Sequence, residues 1–346
     1  MKYNASYWQD VASVLPAVTD IDALCSKSIL ITGGTGLICS GVVDILHYLN
    51  TEKQANISII LAGRSRENTQ ARFPHMKEGT DYSFVTYDAT RPEELTASAD
   101  FIIHGASNAN PAAYVSQPVE TMEANFIGLD RLLRLAGKYG TKRVLYISSS
   151  EVYGQKDGME PFRENDFGFL DILNPRAAYP SSKRAAETLC VAYAQEYGVS
   201  TVIVRPGHIY GPAITKSDNR ATAQFTRNAA KKEQIVMKSA GTQLRSYCYS
   251  LDCASAILTV LTNGKDLNAY NISNPDSIIT ISEIAKKIAE AAGMEIAYEN
   301  PADAEAKGDN LMSNSSLDSD KLEALGWHAV FSPEAGAARC VKYYED

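Results

Sequence analysis

The chain contains no apolar run approaching the ~18 residues that cross a bilayer, so no membrane association is expected. Its first residues, MKYNASYWQDVASV, carry acidic and polar groups where a signal peptide needs an apolar core, and a cytoplasmic location is expected. Cysteine is scattered: Cys25, Cys39, Cys190, Cys248, Cys253 and Cys340 show neither CxxC nor CxxH spacing. That excludes a structural zinc motif and reads as reduced, mostly buried thiols. Positive charge is in deficit, with 33 Lys+Arg against 41 Asp+Glu and a net charge of -8. A general binder of nucleic-acid backbone would need the opposite balance. Internal repeats, low-complexity tracts and long Pro/Gly/Ser linkers are also missing. What remains is 346 residues of ordinary globular composition, 45% hydrophobic and 21% charged. A chain of that length makes one large α/β unit or two domains and buries its core without staples.

Residues 1–27 read as an N-terminal extension with one helix near Ser6–Leu15. Trp8 is expected to pack this segment back on the domain, and Trp327 to be core. From Ser28 a rhythm sets in. Short apolar runs at Ser28–Thr32, Ile57–Ala62, Ser83–Tyr87, Phe101–His104, Arg143–Ser148 and Thr201–Arg205 alternate with helical stretches. Continuous apolar strands between helices predict a parallel sheet, doubly wound in the Rossmann manner. The dinucleotide-binding domain is therefore placed at 28–205. A smaller mixed lobe for substrate, over 206–346, begins with a loop and a helix across 212–245. His47 and His75 read as surface residues and His104 as structural.

Thr32-Gly33-Gly34-Thr35-Gly36-Leu37-Ile38-Cys39 lies between the first strand and the first helix. Gly33 permits a tight turn and Gly36 lets backbone approach a pyrophosphate at the helix N-terminus. Cys39 stands where a third glycine would fall. After the second strand, Gly63-Arg64-Ser65-Arg66 lacks the acid that usually holds a ribose 2′-hydroxyl. Arg64 suits a 2′-phosphate or an adenine face. NAD(P) is thus the expected cofactor, with NADP slightly favoured. Asp88 suits the adenine amino group or a helix cap.

Tyr179 and Lys183 stand four apart at the start of a predicted helix and share a face. A tyrosine ionises near ~10, too high for a base at neutral pH, and a neighbouring ammonium favours the phenolate. Upstream, Ser148-Ser149-Ser150-Glu151-Val152-Tyr153-Gly154 follows a buried strand, where α/β sheets present active-site groups.

Taken with His104-Gly105-Ala106-Ser107, Asn125, the run Arg205 to Pro212, Arg245-Ser246-Tyr247-Cys248-Tyr249 with Asp252, Tyr270-Asn271-Ile272 and Leu325-Gly326-Trp327, these motifs mark a family. The chain resembles the extended short-chain dehydrogenase/reductases, the NAD-dependent epimerase/dehydratase group acting on nucleotide sugars, from Ser28 to Tyr344. The resemblance implies Tyr179, Lys183 and Ser149 as the catalytic set. It implies Gly33, Thr35, Gly36, Leu37, Ile38, Arg64, Asp88, Ala89, Ala106 and Asn125, with Tyr179 and Lys183, at the cofactor. Ser107, Ser150, Arg176, His208, Gln224 and Arg245 are expected around a nucleotide-diphosphate sugar. A homodimer through the helices near 119–139 and 180–197 is implied as well, and no metal.

Glu151 and Arg176-Ala177-Ala178-Tyr179 resemble the UDP-glucuronate decarboxylase and 4,6-dehydratase subgroup. There are departures: His208 replaces an asparagine, and Ser150 an aspartate that dehydratases use as acid. Oxidation at the sugar 4-position acidifies the carbon-5 proton, which Glu151 could take after hydride transfer. With a carboxylate at carbon 6, the 4-ketone is a β-keto acid and loses carbon dioxide with little help. A 4-epimerase or a 4-ketosugar reductase is the alternative. A non-catalytic protein of this fold would not need Ser149, Tyr179 and Lys183 together.

Overall fold

A computed structural model describes residues 1–91, 95–107, 111–215, 218–299 and 312–345, so the expected loop after Pro212 falls partly outside the described residues. The six expected strands form as β1 (Ser28–Thr32), β2 (Ser58–Gly63), β3 (Ser83–Thr86), β4 (Phe101–His104), β5 (Arg143–Ile147) and β6 (Thr201–Pro206). Between and around them run α1 (Ala5–Ser13), α2 (Leu37–Lys53), α3 (Arg66–Arg72), α4 (Pro111–Ser116), α5 (Pro118–Tyr139) and α6 (Ala178–Tyr197). Ile29, Leu30 and Ile31 are wholly buried because β1 has neighbours on both edges and helices on both faces.

Later elements are β7 (His208–Tyr210), α7 (Ala221–Lys231), β8 (Ile235–Met237), β9 (Leu244–Tyr249), α8 (Ser250–Asn263), β10 (Ala269–Ile272), β11 (Ile278–Thr280), α9 (Ile281–Ala291), β12 (Ile296–Tyr298), β13 (Asn314–Ser315), α10 (Asp320–Glu323) and α11 (Pro333–Tyr343). The main sheet has seven strands, all parallel, in the order β10-β6-β5-β4-β1-β2-β3. The chain winds outward from β1 through β2 and β3, then returns to β4 on the other side. That reversal opens a crevice beyond the carboxyl ends of β1 and β4, where such sheets bind ligands. Thr32 lies in register with His104, so the glycine turn and the segment from Gly105 to Ser107 leave the sheet side by side.

The boundary expected at 205/206 is crossed by two later elements. β10 pairs with β6 (Ala269↔Ile203) as an edge strand of the main sheet, and α8 lies against α2. Residues 269–272 read from sequence as part of the smaller lobe, because four residues carry no mark of which sheet they join. The N-terminal segment is built into the body. The Tyr7 hydroxyl donates to buried Asp44 of α2 at 2.5 Å, and Asp10 accepts from Arg339 and Tyr343 of α11 at 2.8 and 2.6 Å. Trp8 stacks on Tyr3 and lies edge-on to His75, at 5.8 and 5.1 Å. His47 and His75 are therefore not surface groups: the segment covers them, and burial pushes the His75 imidazole down to about 4. Trp327 is core, its Nε1 donating to Ser255 Oγ at 2.9 Å. Five of the six cysteines are buried, and none is paired. No helix among the described residues is long and apolar enough to cross a membrane.

Candidate active site

At the first turn the backbone itself is the device. Gly33 has φ 71°, and a Cβ there would come within 2.8 Å of Gly105 C and Ala106 N. Thr32 Oγ1 accepts from the N–H groups of Gly105 and Ala106, at 3.2 and 3.1 Å, and contacts His104 Nδ1 at 2.7 Å. Burial and the Lys183 charge push His104 down to about 3, so it is neutral and structural. Cys39 Sγ occupies the space a Cβ on residue 105 would need, so Gly105 supplies the close approach that a third glycine usually supplies. Gly36 precedes α2, whose N-terminus has no side-chain cap. Leu37 and Ile38 are the first two residues of that helix.

Beside this turn lies a cleft of about 100 Å³ lined by Gly33, Gly34, Thr35, the segment Leu61 to Ser65, Asn68 and Thr69. Arg64 is part of that lining. Arg66 is not: it pairs with Glu78 and lies 5.0 Å over the Phe84 ring. Ser65 caps α3, accepting from Asn68 N at 3.0 Å and donating to Glu67 Oε2 at 2.9 Å. The first carboxylate after β2 is Glu67, four residues past Gly63, outside the cleft lining and bonded to Ser65 of that lining. Asp88 closes a turn on Thr90, accepting from its N–H and hydroxyl at 3.0 and 2.8 Å. Burial pushes its carboxyl up, but the Thr90 bonds and the Arg64 and Arg91 charges outweigh this and hold it below the usual range. Ala89 is buried next to it. These residues fit a dinucleotide: main chain where a pyrophosphate would lie, and a cleft of mixed lining for an adenosine.

Farther along the crevice stand the titrating groups. Lys183 Nζ donates to Ile147 O at 2.8 Å and lies 5.6 Å from the Tyr179 ring, as a pair four apart on one helix should. Burial pushes its ammonium down to about 7. Burial pushes the Tyr179 phenol up and the Glu151 charge adds to that; hydrogen bonds from Ser149 and Tyr114 and the Arg220 charge pull it back. Ser149 lies two residues after β5 and caps a short turn, accepting from Glu151 N at 3.2 Å, while Ser150 is buried inside that turn. Asn125 is wholly buried between α5 and α6. Its Nδ2 donates to Thr121 O and Ser182 Oγ, both at 3.0 Å, so it ties the helices together behind the site.

Glu151 does not stand as a lone carboxylate. Arg176 grips it with two hydrogen bonds of 2.8 and 2.9 Å. The guanidinium lies 4.8 Å over the Tyr114 ring, and that ring lies flat on Tyr179, centroids 4.2 Å apart at 14°. Glu151, Arg176, Tyr114 and Tyr179 thus form one stack. Tyr114 and Arg220 carry no sequence signal that would have found them. Tyr114 lies on a six-residue helix, and Arg220 is one of several exposed-looking cations, held by Asp218 at 2.6 Å.

On the smaller lobe, Arg245 is buried on β9 and donates to Leu244 O at 2.8 Å. His208 lies 5.8 Å from the Tyr247 ring; burial, with the Arg245 and Arg220 charges, pushes it down to about 3. Its Nδ1, and Ser107 Oγ after β4, are buried without a hydrogen-bond partner among the described residues. Gln224 is not gathered with them: it is exposed on α7 and donates to Asn219 O at 2.7 Å.

Comparison with known proteins agrees with this geometry. The chain is 30% identical over 331 residues to UDP-glucuronic acid decarboxylase 1 of Xenopus tropicalis, covering 95% of this chain and 75% of that one. It is 33% identical over 266 residues to UDP-glucuronic acid decarboxylase 3 of Arabidopsis thaliana, covering 76% and 73%. Among solved structures, a UDP-glucose 4-epimerase from Thermotoga maritima, with UDP-glucose, superimposes with a TM-score of 0.75 at 26% identity over 91% of this chain and 98% of that one. A dTDP-glucose 4,6-dehydratase from Bacillus anthracis, in complex with NAD, shares the fold at a TM-score of 0.73 and 21% identity, over 91% and 96%. The family model described as "NAD dependent epimerase/dehydratase family" matches residues 29–273. With the glycine turn and the crevice at the carboxyl ends of one parallel sheet, and Tyr179 and Lys183 on α6 beside it, the chain belongs to the NAD-dependent epimerase/dehydratase family.

Proposed function

We propose that this chain decarboxylates a nucleoside-diphosphate hexuronate through a 4-keto intermediate. Gly33, Thr35, Gly36, Leu37 and Ile38 would hold the cofactor's pyrophosphate, and Lys183 its nicotinamide ribose. Bound there, the nicotinamide supplies a reversible hydride acceptor. Tyr179, as phenolate, takes the proton of the sugar 4-hydroxyl, and Ser149 holds the same oxygen. The 4-ketone is β to the carbon-6 carboxylate. The C5–C6 bond breaks, carbon dioxide leaves, and the electron pair stays as an enolate whose oxygen accepts from Tyr179 and Ser149.

One observation carries the choice among reactions: the paired grip of Arg176 on Glu151. Dehydration and 5-epimerisation need a carboxylate free to reach the carbon-5 proton, and both oxygens of Glu151 are engaged by Arg176. Decarboxylation needs no such base. A cation near carbon 6 would serve to hold the substrate's carboxylate, and Arg176 Nε has no hydrogen-bond partner among the described residues, leaving one edge of the guanidinium for it. Glu151 then orients Arg176. The decarboxylase names among the relatives support the same reading. Mass spectrometry after incubation with UDP-glucuronic acid, UDP-glucose and dTDP-glucose tests it. Loss of carbon dioxide from the first is expected. Loss of water, or an unchanged mass with an inverted 4-centre, from the others while UDP-glucuronic acid stays intact overturns it.

The finer assignments belong to this reading. Arg64 in the cleft, with no acid directly after β2, supports NADP binding at least as well as NAD. Exposed Val119, Met122 and Phe126 form a stripe along α5 beside α6, which supports a homodimer through those helices. Unpaired thiols suit the reducing cytoplasm. We divide the chain into a cofactor lobe from 28 to 205 and a substrate lobe from 206 onward, with α8 and β10 returning to the first.

A further inference from the structure

Tyr146 belongs to none of the motifs, yet it and the next residue of β5 hold one ammonium from two directions. Lys183 Nζ donates to Ile147 O at 2.8 Å and lies 4.7 Å over the Tyr146 ring. Tyr146 is 1% exposed, so water does not screen that contact. The ring is fixed from the neighbouring strand. His104 is its partner in the β4–β5 register and stacks on it, centroids 5.8 Å apart at 29°, and Thr32 Oγ1 holds His104 Nδ1 at 2.7 Å. The Tyr146 hydroxyl has no hydrogen-bond partner among the described residues, so what this side chain offers is its ring face.

Lys183 is itself buried, and no carboxylate pairs with it among the described residues. Glu187, one turn on along α6, is taken by Arg205 of β6 at 2.6 Å. The other groups facing the ammonium are Tyr179 on α6, Cys39 on α2 and His104 on β4. Burial pushes the Cys39 thiol up to about 12 and, with the Lys183 charge, the His104 imidazole down to about 3, so both are neutral. The Tyr179 ring lies at 5.6 Å. The charged form therefore rests on one carbonyl and on ring faces, of which Tyr146 is the nearer. A ring face attracts a cation through its quadrupole, and most where water is excluded.

We propose that Tyr146 is a positioning residue that acts through Lys183, its ring face holding the ammonium charged and in place beside Tyr179. The proposal rests on the reading of Lys183 and Tyr179 as the working pair. It differs from a packing role because packing depends on the shape of the ring, whereas attraction of a cation depends on its electrons.

The test compares three replacements of Tyr146. Tyr146→Phe keeps the face and loses the hydroxyl. Tyr146→Leu removes the face. Trifluorophenylalanine at the same position keeps the shape and draws electrons from the face, and it carries the test should Tyr146→Leu fail to fold. The side-chain NMR signal of isotope-labelled Lys183 in the holoenzyme, identified by its loss in Lys183→Met, reads the ionisation without substrate. Tyr146→Phe should titrate with wild type. The other two proteins should lose the Lys183 proton about one pH unit lower, and kcat/KM on UDP-glucuronic acid at neutral pH should fall about fivefold with it. The melting temperature of the trifluoro protein should match wild type. A trifluoro protein that titrates with wild type overturns the proposal alone, as does a shift in Tyr146→Phe equal to that in Tyr146→Leu, or a kcat/KM that stays put while the titration moves. Wild-type turnover by Lys183→Met overturns the reading of Lys183 and this proposal with it.

Discussion

Around the glycine turn, the surfaces offered to a dinucleotide are mostly main chain: Gly33, Gly36 and the first N–H groups of α2, with Gly105 beside them. Around Tyr179 they are side chains, brought from the loop after β5, from α4, from the turn before α6, from α6 and from the entry to α7. The first region depends on backbone that only glycine can form. The second depends on charges and hydroxyls that check one another: Arg176 quiets Glu151, while Ser149 and Tyr114 reach Tyr179. A change at the backbone region should cost stability and cofactor binding together. A change at the side-chain region should cost chemistry and leave folding alone.

The largest effect expected from this contrast is at Tyr179. Tyr179→Phe removes the titrating oxygen and keeps the ring under Tyr114. Turnover should fall about 10²–10⁴-fold, as for loss of a general base, while the melting temperature and cofactor affinity stay near wild type. Steady-state kinetics beside isothermal titration reads both. Turnover near wild type would remove Tyr179 from the chemistry.

Gly33→Ala asks the opposite question. The residue sits at φ 71°, and the added Cβ would press on Gly105 and Ala106 main chain at 2.8 Å. Left-handed strain and the contact together should cost about 2–3 kcal/mol of stability. Cofactor affinity should fall at least tenfold. Thermal melting and a cofactor titration check it, and unchanged melting would mean that the turn relaxes without cost.

A smaller effect belongs to Arg64, a side chain within the backbone-built region. Arg64→Ala should weaken NADP binding about tenfold, the scale of one exposed charge-assisted pair, and NAD binding less. Titrating both cofactors into both proteins decides it. If NAD is strongly preferred and Arg64→Ala changes neither affinity, the arginine serves the adenine edge or the solvent.

The most gradual effect, spread over several pH units, is in stability against pH. Lys183 ionises at about 7 in the folded protein, below its ordinary 10.5. Between those values the unfolded chain holds the proton and the folded one does not, so unfolding takes up a proton. Lys183 therefore makes stability rise with pH from about 7 upward, and below 7 its contribution is flat. Above about 8.5 the buried thiols, all pushed up, act with the opposite sign. Urea melts of wild type and Lys183→Met across that window should show a difference in slope of at most about 1.4 kcal/mol per pH unit. Parallel curves would mean the ammonium stays charged.

Local pattern was enough for much of the molecule. Ser28–Thr32 reads as a doubly covered strand because every residue after the first is buried, a consequence of its own apolar run. The glycine turn reads as a phosphate cradle because strand, glycines and helix are consecutive. Tyr179 and Lys183 read as neighbours because helical geometry alone puts residues four apart on one face. In each case the distance along the chain is shorter than the element that carries it.

Tertiary structure decided what depends on separation. Glu151 and Arg176 are 25 residues apart, and only the fold of the intervening loop turns a free carboxylate into half of an ion pair. Tyr114 meets Tyr179 across 65 positions because α4 is braced on the turn at Pro175–Ala177, a contact with no periodicity to betray it. β10 joins the main sheet and His47 and His75 are covered for the same reason: which edge is open, and which face needs a lid, are settled by the packed layers. Spacing along a chain determines what a helix or strand can present. The burial that shifts the ionisation of Tyr179, Lys183 and His208 belongs to every neighbour at once, and it exists only when the layers have closed.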